Sequence, residues 1–243
     1  MGVQGKVVIV TGASREGQVG DFLAKTFARE GASLVVSART EANTRRIAEA
    51  IKGEGFRAIG VGVDATSETD VARLTERTLA EYGKIDVLVN LAGGLTKYGP
   101  TVELSARNWT DELNNNLTTV FLCSKAVIPH MTRAKAGKII NFASVGALTP
   151  MPQMAAYNCA KAGVVALTKT LAQELKKFNI CVNAIAPGLV QTRSNIEMMK
   201  PSPEDLEKKW VSLDAVAQVA IFLASEASDG ITGQVIPVYG KGI

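Results

Sequence analysis

Lys6-Val7-Val8-Ile9-Val10-Thr11-Gly12-Ala13-Ser14-Arg15-Glu16-Gly17-Gln18-Val19-Gly20 carries a β-branched apolar run straight into a glycine-rich turn. Unbroken apolar residues from Val7 to Val10 are what a strand buried on both faces requires. A helical pattern begins at about Gly20. Glycine serves where a chain turns sharply, where backbone approaches a pyrophosphate and where helix packs closely on strand, and a helix start adds free N–H groups. Such a turn alone fits any tight bend. Its place between the first strand and the first helix points to a dinucleotide phosphate site, with Gly12, Ser14, Arg15, Val19 and Gly20 as the expected contacts.

Outward from this stretch, strand-like runs recur at Ser33 to Ser37, Ala58 to Val63, Val87 to Asn90, Lys138 to Ala143, Cys181 to Ile185 and Val235 to Val238. Helical segments lie between them, near 20 to 30, 41 to 54, 67 to 82, 106 to 134, 155 to 178 and 213 to 224. In the fifth, Ala160, Val164, Leu167, Leu171 and Leu175 share one face. Strict β/α alternation predicts parallel strands joined by right-handed crossovers, an α/β doubly wound parallel sheet of the Rossmann type with about seven strands. No linker or composition break divides 1–243, so one domain is expected. The segment from Leu189 to Trp210 reads as a long loop after a strand's carboxyl end, where open α/β sheets bind ligands.

Composition narrows the function. The 243 residues are 47% hydrophobic and 21% charged, which excludes disorder. Apolar runs fall well short of the ~20 residues of a membrane span, and the N-terminus lacks the pattern of a secretory signal, so a cytoplasmic address is expected. The net charge of +4 comes from basic residues placed singly or in pairs, without the basic stripe of a nucleic-acid binder. Cys123, Cys159 and Cys181, an odd set at spacings of 36 and 22, match neither a disulfide framework nor a zinc site and read as buried or inert thiols. His130 has no ligand-type neighbours and reads as a helix C-terminal cap, Trp109 reads as core, and no metal is expected.

Ser37-Ala38-Arg39-Thr40 closes the second strand without the carboxylate that binds a ribose 2′-hydroxyl in NAD sites. Arg39 and Arg15 are instead suited to a 2′-phosphate, which favours NADP(H) over NAD(H). Further on, Tyr157 and Lys161 stand at i and i+4, one turn apart on a helix. A nearby ammonium favours phenolate, so Lys161 is expected to lower the Tyr157 pKa into a usable acid/base range. Ser144 stands thirteen residues before Tyr157, at the end of the fifth strand, and Asn116 lies in Asn114-Asn115-Asn116-Leu117.

With these positions the chain resembles the short-chain dehydrogenase/reductase family over essentially its whole length. Asn90-Leu91-Ala92-Gly93, Asp64, Asn183-Ala184-Ile185-Ala186-Pro187-Gly188 and Ile231-Thr232-Gly233-Gln234 extend the match. The resemblance implies that Tyr157 is the general acid in reduction, that Ser144 holds the carbonyl oxygen, and that Lys161 binds the nicotinamide ribose. It implies that Asn116 interrupts the long helix and holds a water in the proton relay. Asp64 and Ala65 would contact adenine, Asn90, Ala92 and Gly93 the ribose side, and Pro187, Gly188, Val190 and Thr192 the nicotinamide carboxamide. The reaction implied is hydride transfer between nicotinamide and a small-molecule ketone or secondary alcohol.

Within the family the pattern is similar to 3-oxoacyl-acyl-carrier-protein reductases, which implies a carrier-linked substrate. Their basic docking positions correspond to Lys135 and Gln173, only one of them basic. A catabolic alcohol or sugar dehydrogenase using the same four residues is an alternative, and a non-catalytic dinucleotide sensor is one from another class. Joint presence of Asn116, Ser144, Tyr157 and Lys161 argues against a sensor. The chain departs from the family where Gly12 and Gly20 enclose seven residues, two more than usual. The resemblance also implies a homotetramer built on the helices near 106 to 134 and 155 to 178, where the small residues Ala162 and Ala166 permit close approach.

Overall fold

Short β-branched runs become strands here because helices cover both of their faces. The computed structural model describes residues 2–241. Its strands are β1 (Val7–Thr11), β2 (Ser33–Ala38), β3 (Ala58–Gly62), β4 (Val87–Asn90), β5 (Gly137–Phe142), β6 (Ile180–Pro187) and β7 (Val235–Val238). All pair in parallel, in the order β3-β2-β1-β4-β5-β6-β7. The helices are α1 (Val19–Arg29), α2 (Glu41–Gly53), α3 (Glu68–Tyr82), α4 (Ala106–Leu113), α5 (Thr119–Ala134), α6 (Ala155–Leu175), α7 (Arg193–Met199), α8 (Pro203–Lys208) and α9 (Leu213–Ala224). This is the doubly wound Rossmann-type sheet read from the alternation.

Alternate residues of β1 enter opposite cores. Val8 and Val10 pack with Leu23 and Phe27 of α1 and with Val216 and Leu223 of α9. Ile9 packs with Leu74 of α3, Val127 of α5 and Leu171 of α6. Each fully buried side chain of this size contributes about 1.5–3 kcal/mol. The strand order reverses between β1 and β4, so the chain diverges there and leaves a crevice beyond the two carboxyl ends.

A polar thread crosses the apolar interior. Asn90 Nδ2 on β4 donates to Asn141 Oδ1 on β5 at 2.9 Å and to Ser124 Oγ on α5 at 3.0 Å. Asn141 Nδ2 donates to Thr168 Oγ1 on α6 at 2.9 Å, and Thr168 Oγ1 donates to the Val164 carbonyl at 2.8 Å. All four side chains are buried, so these bonds are made out of reach of water.

The segment 106–134 is two helices separated by a π-helical turn, Asn114–Thr118, which widens the backbone ladder around Asn116, the residue expected to interrupt the helix. Other expectations are corrected. The segment 189–210 is not an extended loop but carries α7 and α8. Each has an N-cap, Thr192 accepting from Asn195 N at 3.2 Å and Ser202 from Asp205 N at 3.1 Å, with Pro203 in the first helical turn. Trp109 is 36% exposed and Trp210 is 6% exposed, so the second, not the first, is core. Cys159 is exposed on α6, whereas Cys123 and Cys181 are buried. His130 lies within α5, and Lys135, in the left-handed conformation, closes that helix in its place. No helix among the described residues is long and apolar enough to cross a membrane.

Candidate active site

The phosphate end is built by close backbone approach. Thr11 Oγ1, at the end of β1, accepts from the N–H groups of Leu91 and Ala92, both at 3.1 Å, clamping the exits of β1 and β4 together. Gly12 (φ +79°) passes so near that a Cβ on it would lie 2.9 Å from Ala92 Cα. A Cβ on Gly20 would lie 2.8 Å from Ala13 Cα and from the Gly12 carbonyl oxygen, so α1 starts directly on the turn. Gln18, the residue before α1, makes no side-chain cap, which leaves N–H groups of the first turn for an anion. This cradle fits a dinucleotide pyrophosphate.

Enlargement of the turn joins it to α7. The Gly17 carbonyl accepts from Arg193 N at 3.0 Å, and Ser194 Oγ donates to Gln18 Oε1 at 3.0 Å. A hollow of about 280 Å³ opens between them, lined among others by Arg15, Gln18, Arg46 and Arg193. Arg46 and Arg193 were not among the expected site residues, because α2 and the segment after β6 reach this place only through the fold. Ser14 and Val19 are half-buried, and Arg15 is exposed.

At the neighbouring edge, Arg39 follows β2 and Asp64 follows β3, both exposed. The Asp64 carboxyl is held below its ordinary range, first by the Thr66 backbone N–H at 3.0 Å, then by the Thr66 hydroxyl at 2.7 Å, and further by the charge of Arg39. Arg39 and Asp64 therefore sit close enough to share one binding edge, beside half-buried Ala65.

Past β4 the chain turns through Ala92 and Gly93. The Asn90 side chain is turned into the sheet, so it faces the polar thread and not the crevice. Asn116, fully buried in the π turn, binds the backbone of Gly94 twice: its Nδ2 donates to the carbonyl at 3.0 Å, and its Oδ1 accepts from the N–H at 2.8 Å. Beyond β6, Gly188 N donates to the Val238 carbonyl at 2.9 Å, and Val190 bridges to Val211. Thr192 then starts α7. Pro187 thus ends β6, and Gly188, Val190 and Thr192 follow it in sequence.

Ser144 lies two residues beyond β5 and caps the next turn, its Oγ accepting from Gly146 N at 3.1 Å. Lys161 is 4% exposed; its Nζ lies 5.7 Å from the centre of the Tyr157 ring and donates to the Phe142 carbonyl at 2.8 Å. Burial pulls the Lys161 pKa down to about 8, opposed by the charge of Glu112. The Tyr157 pKa is raised, not lowered as expected from the Lys161 spacing. Burial is the main cause, Ser144 opposes it by hydrogen bonding, and Glu112 adds to it. Helical spacing alone hides both the depth of the pair and the carboxylate beside it. Glu112 went unrecognised, although it stands four residues before Asn116 on the same helical face.

A doubly wound parallel sheet whose strand ends gather a phosphate cradle and a tyrosine–lysine pair defines a dinucleotide-type oxidoreductase. Residues 6–203 match the family model for short chain dehydrogenases, and the chain belongs to that family. It is 33% identical over 249 residues to a 3-oxoacyl-acyl-carrier-protein reductase of Thermotoga maritima, covering 99% of this chain and 98% of that one. A hydroxy(phenyl)methylsuccinyl-CoA dehydrogenase subunit of Thauera aromatica is 35% identical over 245 residues, with 99% and 97% covered. A Burkholderia xenovorans structure assigned to the short-chain dehydrogenase/reductases superposes with a TM-score of 0.89 at 32% identity, covering 99% of this chain and 97% of the other.

Proposed function

We propose that the protein is an NADP(H)-dependent reductase of ketones, transferring hydride between nicotinamide and a ketone or secondary alcohol, with a 3-oxoacyl thioester as the substrate class. The observation that carries this reading is half-buried Tyr157 standing over buried Lys161, with Ser144 acting on the phenol and Asn116 packed beneath the adjoining chain. When bound, the dinucleotide supplies the hydride. Tyr157 Oη gives its proton to the carbonyl oxygen, and the Ser144 hydroxyl holds that oxygen by donating to it. Lys161, anchored on the Phe142 carbonyl, presents its charge to the cofactor ribose and to the phenol. Asn116 fixes the chain at Gly94, and its widened turn holds the water of the proton relay.

Gly12, Ser14, Arg15, Val19 and Gly20 hold the pyrophosphate side, Asp64 and Ala65 the adenine, and Ala92, Gly93 and the Asn90 backbone the ribose side. Pro187, Gly188, Val190 and Thr192 hold the carboxamide. The whole chain forms one domain, with 189–210 covering the substrate, and it works in the cytoplasm. The relatives named as reductases of carrier-linked and dehydrogenases of CoA-linked acyl groups support the thioester class. Gln173 accepts from Lys176 Nζ at 3.0 Å, so an ammonium stands beside the second of the two docking positions, which supports a carrier-linked substrate.

Arg39 selects the 2′-phosphate in this reading. Fluorescence titration is expected to show NADPH bound more tightly than NADH, and Arg39→Ala to weaken NADPH about tenfold or more while leaving NADH nearly unchanged. Equal losses for both nucleotides would remove Arg39 from cofactor selection. Cys159, Ala162 and Ala166 on α6 face outward, the small side chains a second copy needs for close helix contact, and Phe121 on α5 is an exposed apolar residue for the same contact. Light scattering at micromolar concentration is expected to give a tetramer mass, and a monomer would refute that assembly.

A further inference from the structure

Glu112 lies on α4, fully buried, and among the described residues it forms no ion pair at contact distance. A carboxylate so placed is costly unless hydrogen bonds and a facing charge compensate it. Both oxygens are engaged by Thr96: Oε1 accepts from Thr96 N at 3.1 Å, and Oε2 accepts from the Thr96 hydroxyl. Asn116 Nδ2 stands 3.5 Å from Oε1 and donates to the Glu112 carbonyl at 3.1 Å. Glu112 and Asn116 together therefore hold residues 94–96 from within. Helix α4 packs against α6, whose Tyr157 and Lys161 lie within reach of the Glu112 charge, Lys161 bearing the opposite sign. Ser144, which bears on Tyr157 from just beyond β5, is neutral.

We infer that Glu112 is a positioning residue of the proton-transfer site: its oxygens fix the segment around Thr96 beside Asn116, and its charge favours the proton-donating form of the site, biasing it towards carbonyl reduction. The inference rests on the assignment of Tyr157 as proton donor. A buried negative charge disfavours phenolate and favours ammonium. Both effects are present, since Glu112 adds to the upward push of burial on Tyr157 and opposes the downward pull of burial on Lys161. Reduction needs the protonated phenol, whereas alcohol oxidation needs the phenolate. Glu112 thus moves the oxidative reaction to higher pH.

Glu112→Gln tests this, because the amide keeps an oxygen for Thr96 N and an N–H for the Thr96 hydroxyl while removing the charge. The Lys161 midpoint, near 8 in the parent protein, is read by 13C NMR of lysine Cε with Lys161→Met identifying its signal. It is expected to fall by about one pH unit in Glu112→Gln, with the rising limb of alcohol oxidation moving down by a similar step. Thr96→Val, which cuts the clasp and keeps the charge, is expected to raise KM and leave both midpoints in place. Unchanged midpoints in Glu112→Gln, or equal shifts in Thr96→Val, would overturn the inference. A lowered Lys161 midpoint in a protein without carbonyl turnover supports the charge effect and counts against the assigned reaction. Should Glu112→Gln fail to fold, Glu112→Asp takes its place: retained midpoints support the inference, and a fall like that expected on loss of charge overturns it.

Discussion

Tyr157→Phe is expected to lower ketone reduction about 10²–10⁴-fold, the range of a positioned general acid, with NADPH affinity almost unchanged. The phenyl ring keeps its place over Lys161, whose Nζ remains bonded to the Phe142 carbonyl, so the cavity and its charge survive. Only the donor to the carbonyl oxygen is removed. The loss should fall on kcat, since the proton moves in the transition state and not on substrate binding. Steady-state rates at saturating NADPH, paired with a fluorescence titration, separate the two quantities. Near-parental turnover in Tyr157→Phe would dismiss the phenol as proton source.

Gly20→Ala is expected to damage both fold and cofactor binding. Its methyl would stand 2.8 Å from Ala13 Cα and the Gly12 carbonyl oxygen, backbone atoms that have no rotamer to escape into. Overpacking of this kind costs about 1–3 kcal/mol, or a fall of roughly 2–4 °C in Tm per kcal/mol at this chain length. Because the strain lifts the start of α1 off the turn, the N–H groups facing the pyrophosphate shift with it, and Kd for NADPH should rise about tenfold or more. Gly53→Ala serves as the comparison, since a Cβ there meets nothing within 4 Å. Parental NADPH affinity in Gly20→Ala would mean that α1 does not hold the phosphates.

Architecture was legible because it rests on local pattern. Val7 to Val10 could be buried on both faces only in a covered parallel sheet, and the helices announce themselves by periodicity. The Tyr157–Lys161 pair and Ser144 were legible from spacing, but their electrostatics were not. Whether Lys161 lowers the phenol's pKa depends on how deeply both groups lie and on Glu112, which α4 brings near Tyr157 and Lys161. Arg46 and Arg193 come from elements far apart in sequence, so no motif joins them to Arg15. Helices α7 and α8 were missed because each is too short for a periodic signal, although Ser202-Pro203 carries a start signal of its own. Trp109 was misplaced because a large aromatic in a helix is buried only if that helix face meets another element.

The polar thread from Asn90 through Asn141 to Thr168 works as a keyway. An apolar seam tolerates sliding and rotation, because one methyl group can replace another as neighbour. A row of amides and a hydroxyl accepts a single setting: a slip of one residue between β4 and β5 turns each side chain to the opposite face and strands buried donors. Thr168 shares α6 with Tyr157 and Lys161, while Asn141 shares β5 with Phe142, the carbonyl partner of Lys161. The rotation of the helix and the height of the strand are thus indexed to each other well away from the reacting atoms. Machining tolerance at the tyrosine is set in the middle of the core.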